Sequence, residues 1–265
     1  MGKLAIQLLF LITFFLVLVS HILPITSQEV EDEREFNYDP YSEKGPAHWG
    51  RIRPEWSACS NGTMQSPIDL PDLGRLNRSY KPGNAILKNR GHDIMLKWES
   101  GAGIIEINGT EYVLNQCHWH SPSEHTIDGE RFALELHMLD GKIAVVGILY
   151  KIGRPDSFLS SVSSLTKQLE YVAGTTERDT VVGVVDPRNI KIGSRKYYRY
   201  LGSLTTPPCT ENVVWTVVKK VRTVTKEQVQ LLRVAVHDDS DTNARPLQPL
   251  NGRTVKLFIP EDKDD

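Results

Sequence analysis

The chain is 265 residues long, 40% hydrophobic and 24% charged, with a formal net charge of −2. A balance so near neutral argues against a nucleic-acid or anionic-membrane partner, and it directs attention to a small-molecule substrate. Residues 1–27 hold Lys3, an apolar run at 4–19 interrupted by Thr13, and then Pro24 among small or polar residues. This is the pattern of a secretory signal peptide, and its run is shorter than the ~20 apolar residues that span a bilayer. Cleavage leaves about 235 residues, enough for one all-β domain. The expected organisation is a signal peptide at 1–27, an acidic solvated tail at 28–37, one catalytic domain at 38–260 and a second acidic tail at 261–265. The expected location is the secretory pathway, either outside the cell or in an organelle reached by that route.

Along the domain the periodic segments are short, rich in β-branched residues and bounded by turn residues. Segments 104–107 and 112–114 flank Asn108-Gly109, and 132–139 and 142–150 flank Asp140-Gly141, both strong hairpin signals. Segments 213–218 and 254–259 add strands. Helical spacing is confined to 158–172 and 226–236, the second opened by Thr225 and Gln228 in a capping-box pattern. The prediction is a mostly β protein, one domain on a large, mainly antiparallel sheet with short peripheral helices.

Secretion permits disulfides, and there are three cysteines, Cys59, Cys117 and Cys209. Cys117 lies beside His118 and points to the opposite strand face, which suits a buried thiol. Cys59 and Cys209 are then the candidate bridge, the alternatives being three free thiols or an odd one joining a second chain. Sequons at Asn61, Asn77 and Asn108 agree with the secretory route.

The histidines carry the chemistry. In Gln116-Cys117-His118-Trp119-His120, alternate residues of a strand share one face, so His118 and His120 can aim two imidazoles at one point. His137, in Glu135-Leu136-His137, lies on the first arm of the Asp140-Gly141 hairpin and would add a third from a neighbouring strand. Three protein ligands with the fourth tetrahedral position left for water describe a catalytic rather than a structural Zn²⁺ site.

The chain also contains Gln65-Ser66-Pro67-Ile68-Asp69, Ser123-Glu124-His125-Thr126, Gly202-Ser203-Leu204-Thr205-Thr206-Pro207-Pro208 and the segment 243–249. In this order, spread over most of the mature chain, these motifs resemble the α-type carbonic anhydrases, in particular secreted plant members. The resemblance implies the α-carbonic anhydrase fold and the zinc-dependent hydration of CO₂ to bicarbonate and a proton by zinc-bound hydroxide. It implies that Gln116, the backbone carbonyl of Asn243 and Glu135 fix the outer ring nitrogens of His118, His120 and His137. Thr205 resembles the gatekeeper that accepts a hydrogen bond from the hydroxide and donates to Glu124, with Thr206 on the same wall. Val145, Leu204, Val213 and Trp215 match the apolar wall against which CO₂ rests. His92, in Arg90-Gly91-His92-Asp93, matches the proton shuttle and is expected at the surface. His125 matches a structural position near Tyr200, and His48 and His237 match no ligand. The Cys59–Cys209 bridge matches extracellular relatives.

Departures from the family pattern at Arg51, Arg90, Asp93, Met95, Cys117 and Leu201 touch no zinc ligand, and bear on rate rather than reaction. The expected partners are CO₂ and bicarbonate, with no nucleic acid or membrane, in a monomer or weak dimer. The alternative is a catalytically weak binding or storage protein on the same fold. Relatives of that kind usually lose a ligand histidine, whereas all three are present here.

Overall fold

A computed structural model describes residues 29–30, 32–70, 77–140, 144–163, 179–194, 196–236 and 240–258. The signal-peptide segment, the C-terminal tail, the later part of the first expected helix, Gly141 and His237 lie outside the described residues. The strands are β1 (Asp69–Leu70), β2 (Asn77–Tyr80), β3 (Gly83–Asn89), β4 (Ile94–Trp98), β5 (Gly103–Ile107), β6 (Thr110–His120) and β7 (Thr126–Ile127). They continue with β8 (Glu130–Arg131), β9 (Leu134–Asp140), β10 (Ala144–Ile152), β11 (Asp179–Val185), β12 (Tyr197–Ser203), β13 (Glu211–Val224) and β14 (Lys256–Phe258). Four α-helices accompany them among the described residues, α1 (Trp49–Ile52), α2 (Ala58–Asn61), α3 (Ser157–Ser163) and α4 (Lys226–Val236). None of these is long and apolar enough to cross a membrane.

One large sheet runs in the order β11-β3-β4-β6-β9-β10-β13-β12-β14, with β2 and β5 branching from β6. Its pairings are antiparallel except β10 with β13. The β5–β6 hairpin closes through Asn108 (φ 51°) and Gly109 (φ 77°), a tight turn in which both residues take positive φ. At the start of α4, Gln228 N–H donates to Thr225 Oγ1 and Thr225 N–H to Gln228 Oε1, each at 3.2 Å, which satisfies two helix-end donors reciprocally.

The central strands sort their side chains by alternation. Cys117, Trp119, Leu136, Met138, Val146 and Ile148 enter one apolar core. Val145, Leu149, Val213, Trp215 and Val217 form another on the opposite face, beside the histidines. Each such large apolar group contributes roughly 1.5–3 kcal/mol on burial, which offsets the desolvation of the polar groups among them. Register decides the rest: in the antiparallel β6–β9 pair His118 stands opposite His137 and His120 opposite Glu135. Gly147 pairs with His137 from β10, and a Cβ there would lie 2.9 Å from Glu135 Oε1, so only glycine leaves room for that carboxylate.

Cys59 and Cys209 form a disulfide with Cα atoms 5.0 Å apart, and Cys117 is a buried free thiol whose pKa burial pushes up. The bridge ties α2 to the loop after Thr205, where Phe36, Trp49 and Trp56 pack around it. The N-terminal segment differs from the solvated tail expected of it. Glu29 is 5% exposed, and Glu33 and Phe36 are 1% exposed, because Arg90 draws in the carboxylates and the aromatic cluster draws in Phe36.

Candidate metal centre

His118, His120 and His137 are all buried, and one ligand atom from each lies within 4.8 Å of the others. Their outer nitrogens fix which inner atoms carry lone pairs. His118 Nδ1 faces Gln116 Oε1 at 2.9 Å, and His120 Nδ1 faces the carbonyl of Asn243 at 2.7 Å. A carbonyl oxygen only accepts, so both Nδ1 atoms carry the proton and both Nε2 atoms present lone pairs. Those two lone pairs face each other across 3.1 Å, a repulsive contact unless a cation sits between them. His137 is turned the other way: its Nε2 donates to Glu135 Oε1 at 3.0 Å, and its Nδ1 is buried with no hydrogen-bond partner. Three converging lone pairs, one of them orphaned in the interior, fit a Zn²⁺ ion.

Electrostatics agree with the donor set. Burial, with the nearby Arg90 charge added, holds His118 well below the usual imidazole range, and burial holds His137 at about 4. Both rings are therefore neutral near pH 7, as ligation demands. Burial works against ionisation of Glu135, but His125 and His137 outweigh it and keep its carboxyl well below the usual carboxylate range. Glu135 also accepts from the backbone N–H groups of Glu124 and His125, each at 2.9 Å, and lies 2.7 Å from His125 Nδ1. His125 Nε2 continues to the Tyr200 hydroxyl at 2.7 Å, which meets Ser66 Oγ at 2.8 Å.

A family model of the eukaryotic-type carbonic anhydrases matches residues 44–259. The chain belongs to the eukaryotic-type carbonic anhydrase family. It is 64% identical to alpha carbonic anhydrase 7 of Arabidopsis thaliana over 244 residues, 88% of each chain. It is 48% identical to carbonic anhydrase Nec1 of Nesocodon mauritianus over 264 residues, 94% of this chain and 95% of the relative. Among solved structures, dioscorin complexed with ascorbate matches with a TM-score of 0.80 at 43% identity, covering 86% of this chain and 99% of that one. The α-carbonic anhydrase of Thermovibrio ammonificans in complex with sulfanilamide matches with a TM-score of 0.73 at 33% identity, covering 83% and 98%.

Beside the three histidines, Val145, Leu204, Val213 and Trp215 belong to one buried apolar cluster, and the centroid of the Trp215 ring lies 4.8 Å from that of His137. Glu124 Oε1 accepts the backbone N–H of Arg245 at 2.8 Å. Glu124 Oε2, Thr205 Oγ1 and Thr206 Oγ1 are buried without a hydrogen-bond partner. The Thr205-to-Glu124 hydrogen bond implied by the resemblance is thus not closed in this structure.

His92 stands elsewhere than expected. It is 7% exposed rather than on the surface, with Phe36 and Tyr38 packed on its ring and Nε2 donating to the Phe36 carbonyl at 2.5 Å. The composition of residues 29–36 gave no sign that they would cover it. The sequence marks Arg90 as a departure beside His92 but not as a buried residue; its Nε donates to Asp93 Oδ1 at 2.8 Å and its Nη1 donates to Glu29 Oε2 at 2.8 Å. Arg245 was missed as well. It donates to Gln65 Oε1 and to the carbonyls of Ser66 and Cys59, and so ties two of the motifs together.

Proposed function

We propose that this protein catalyses the reversible hydration of CO₂ to bicarbonate and a proton at a zinc ion held by His118 Nε2, His120 Nε2 and His137 Nδ1. The observation that carries the reading is the convergence of three buried imidazole ring nitrogens, with the other nitrogen of each ring held by an outer partner. When bound, zinc supplies the Lewis acidity that makes water a nucleophile near neutral pH, an effect for which this family is the reference example. Gln116, Asn243 and Glu135 keep the three ligands in the correct tautomers. With the reacting water in place, Thr205 Oγ1 would accept its hydrogen bond and donate one to Glu124 Oε2, two oxygens that are buried and unpartnered in this structure. That aims the oxygen lone pair at the substrate. Val145, Leu204, Val213 and Trp215 hold CO₂, which has no net dipole and needs no donor, and Thr206 lines the same wall. His92 is the residue assigned to receive the proton and pass it to buffer.

The same reading takes the leader as a signal peptide and the chain as a secreted glycoprotein, with CO₂ and bicarbonate as its partners. The Cys59–Cys209 bridge and the exposure of Asn61 and Asn108 agree with it. Binding without catalysis is the second reading, favoured by the likeness to dioscorin complexed with ascorbate. One experiment separates the two: zinc content of the purified mature protein beside its CO₂ hydration rate, in the parent and in His120→Ala. Stoichiometric zinc with hydration in the parent, and loss of both in the variant, is expected. Hydration that persists in zinc-free His120→Ala would refute the proposal.

A further inference from the structure

Glu29 lies in a stretch whose composition is that of a solvated tail, yet its side chain is only 3% exposed. Its Oε2 accepts from Arg90 Nη1 at 2.8 Å and from Gln116 Nε2 at 3.4 Å, and lies 3.7 Å from His118 Nδ1. The arrangement is held from both sides. Asp93 grips the other edge of the Arg90 guanidinium through Nε and Nη2. Glu33 N–H donates to the Arg90 carbonyl at 2.5 Å, and Phe36 anchors the segment against Trp49, Trp56 and His92.

The chemistry of an amide gives this contact a consequence at the metal centre. Gln116 has a donor at one end and an acceptor at the other, and turning it over exchanges them. A carboxylate only accepts, so Glu29 selects the orientation with Nε2 towards itself and Oε1 towards His118. That orientation requires the His118 proton on Nδ1 and leaves the lone pair of Nε2 facing the other imidazoles. With Gln116 reversed, its NH₂ would face Nδ1, and the proton of His118 would have to move to Nε2, which removes one ligand. We propose that Glu29 is a positioning residue of the metal centre, setting the Gln116 amide and through it the tautomer of His118. This rests on the zinc reading above.

The test uses mature protein made from the full chain, with N-terminal sequencing to show whether Glu29 is retained, and the variants Glu29→Ala and Glu29→Gln. Two quantities are read: zinc affinity by competition with a chromophoric chelator, and the His118 tautomer in the zinc-free protein by long-range proton–nitrogen-15 correlation. Outer partners of metal ligands typically govern affinity by 10–100-fold, so Glu29→Ala should bind zinc at least about tenfold more weakly and show a mixed His118 tautomer. Glu29→Gln keeps the shape and one acceptor oxygen, and should fall between Glu29→Ala and the parent. The tautomer signal separates positioning from a general loss of packing, which would leave it unmoved. Variants that match the parent in both quantities, or a mature chain that begins after Glu29, would overturn the proposal. A parent that binds no zinc would instead refute the zinc reading, and this inference with it.

Discussion

Glu135→Gln changes one oxygen for an NH₂ group and almost nothing in volume, so its effect isolates hydrogen-bond polarity. Four donors converge on the carboxylate: the N–H groups of Glu124 and His125 on Oε2, and His125 Nδ1 and His137 Nε2 on Oε1. A glutamine amide accepts at one end only, so two donors lose their acceptor whichever way it turns. Turned against the backbone pair, the NH₂ meets two N–H groups that cannot change, at about 1–3 kcal/mol each, or roughly 2–6 kcal/mol together. Turned against the imidazoles, it meets rings that can relieve the clash by moving a proton from one nitrogen to the other. The second arrangement is the less costly, and in it His137 carries its proton on Nδ1, the atom offered to zinc.

The expected result of Glu135→Gln is therefore a fall of about 10–100-fold in zinc affinity. The zinc-free protein should lose stability by roughly 2 kcal/mol, the lower end of the hydrogen-bond cost worked out above. Chelator competition measures the first and urea unfolding of the zinc-free protein the second. A variant that keeps the parent's zinc affinity would refute the assignment of His137 Nδ1 as a ligand set by Glu135. A variant that loses the full 6 kcal/mol with affinity intact would place the cost on the backbone pair instead.

Thr205→Val should retain stoichiometric zinc and lose most CO₂ hydration, since it deletes an unpartnered buried hydroxyl and no ligand; a hydration rate equal to the parent's contradicts its role. Zinc-free protein should lose stability as pH falls. His137 titrates at about 4 when folded against 6.5 for the free group, so the unfolded chain binds the extra proton. The stability is therefore intact above 6.5 and lost between there and 4, by about 3 kcal/mol for this group alone. Zinc should suppress that slope, and a zinc-free protein equally stable at pH 7 and pH 4.5 argues against buried neutral imidazoles. Replacing Cys59 and Cys209 together with Ser opens a bridge of sequence separation 150 and should lower unfolding stability by several kcal/mol, with roughly 5 as the entropic upper value; an unchanged urea midpoint would show that the bridge constrains little. His92→Ala should slow hydration in dilute buffer, with added imidazole restoring much of the rate; no change would mean that protons leave by another route.

What the sequence made legible is what repeats locally. His118 and His120 share a face because strand side chains alternate, and Asn108-Gly109 and Thr225 with Gln228 announce a turn and a helix start by their own chemistry. The position of His137 was legible only in part. Its strand could be placed beside a hairpin turn, but the register that sets it opposite His118 depends on how β6 and β9 slide against each other, and no local signal fixes that. Gly147 shows the same limit from the other side. In a run of β-branched residues it reads as a weak point in a strand, and its reason is a carboxylate reaching across from the neighbouring β9.

The acidic N-terminal segment is solvated only in part, with Asp32 and Glu35 exposed but Glu29 and Glu33 buried, for a different physical reason. Glu29, Glu31, Asp32, Glu33 and Glu35 form a charge run, and such runs are solvated unless something inside the fold can take their charge. Here that something is a guanidinium 61 residues away in sequence, itself buried against Asp93. Arg90 in turn could not stay buried with Asp93 alone unless its remaining donors were met, and Glu29 and the Val30 carbonyl are what they meet. The pairing is mutual: neither the arginine nor the acidic segment has a reason to be inside without the other. Glu33 shows where the arrangement reaches its limit, since burial and the neighbouring Asp93 push its carboxyl up to about 8 and it enters as a neutral acid near pH 7. A third carboxylate is thus accommodated by losing its charge, while Glu29 is the one that reaches Gln116 and His118.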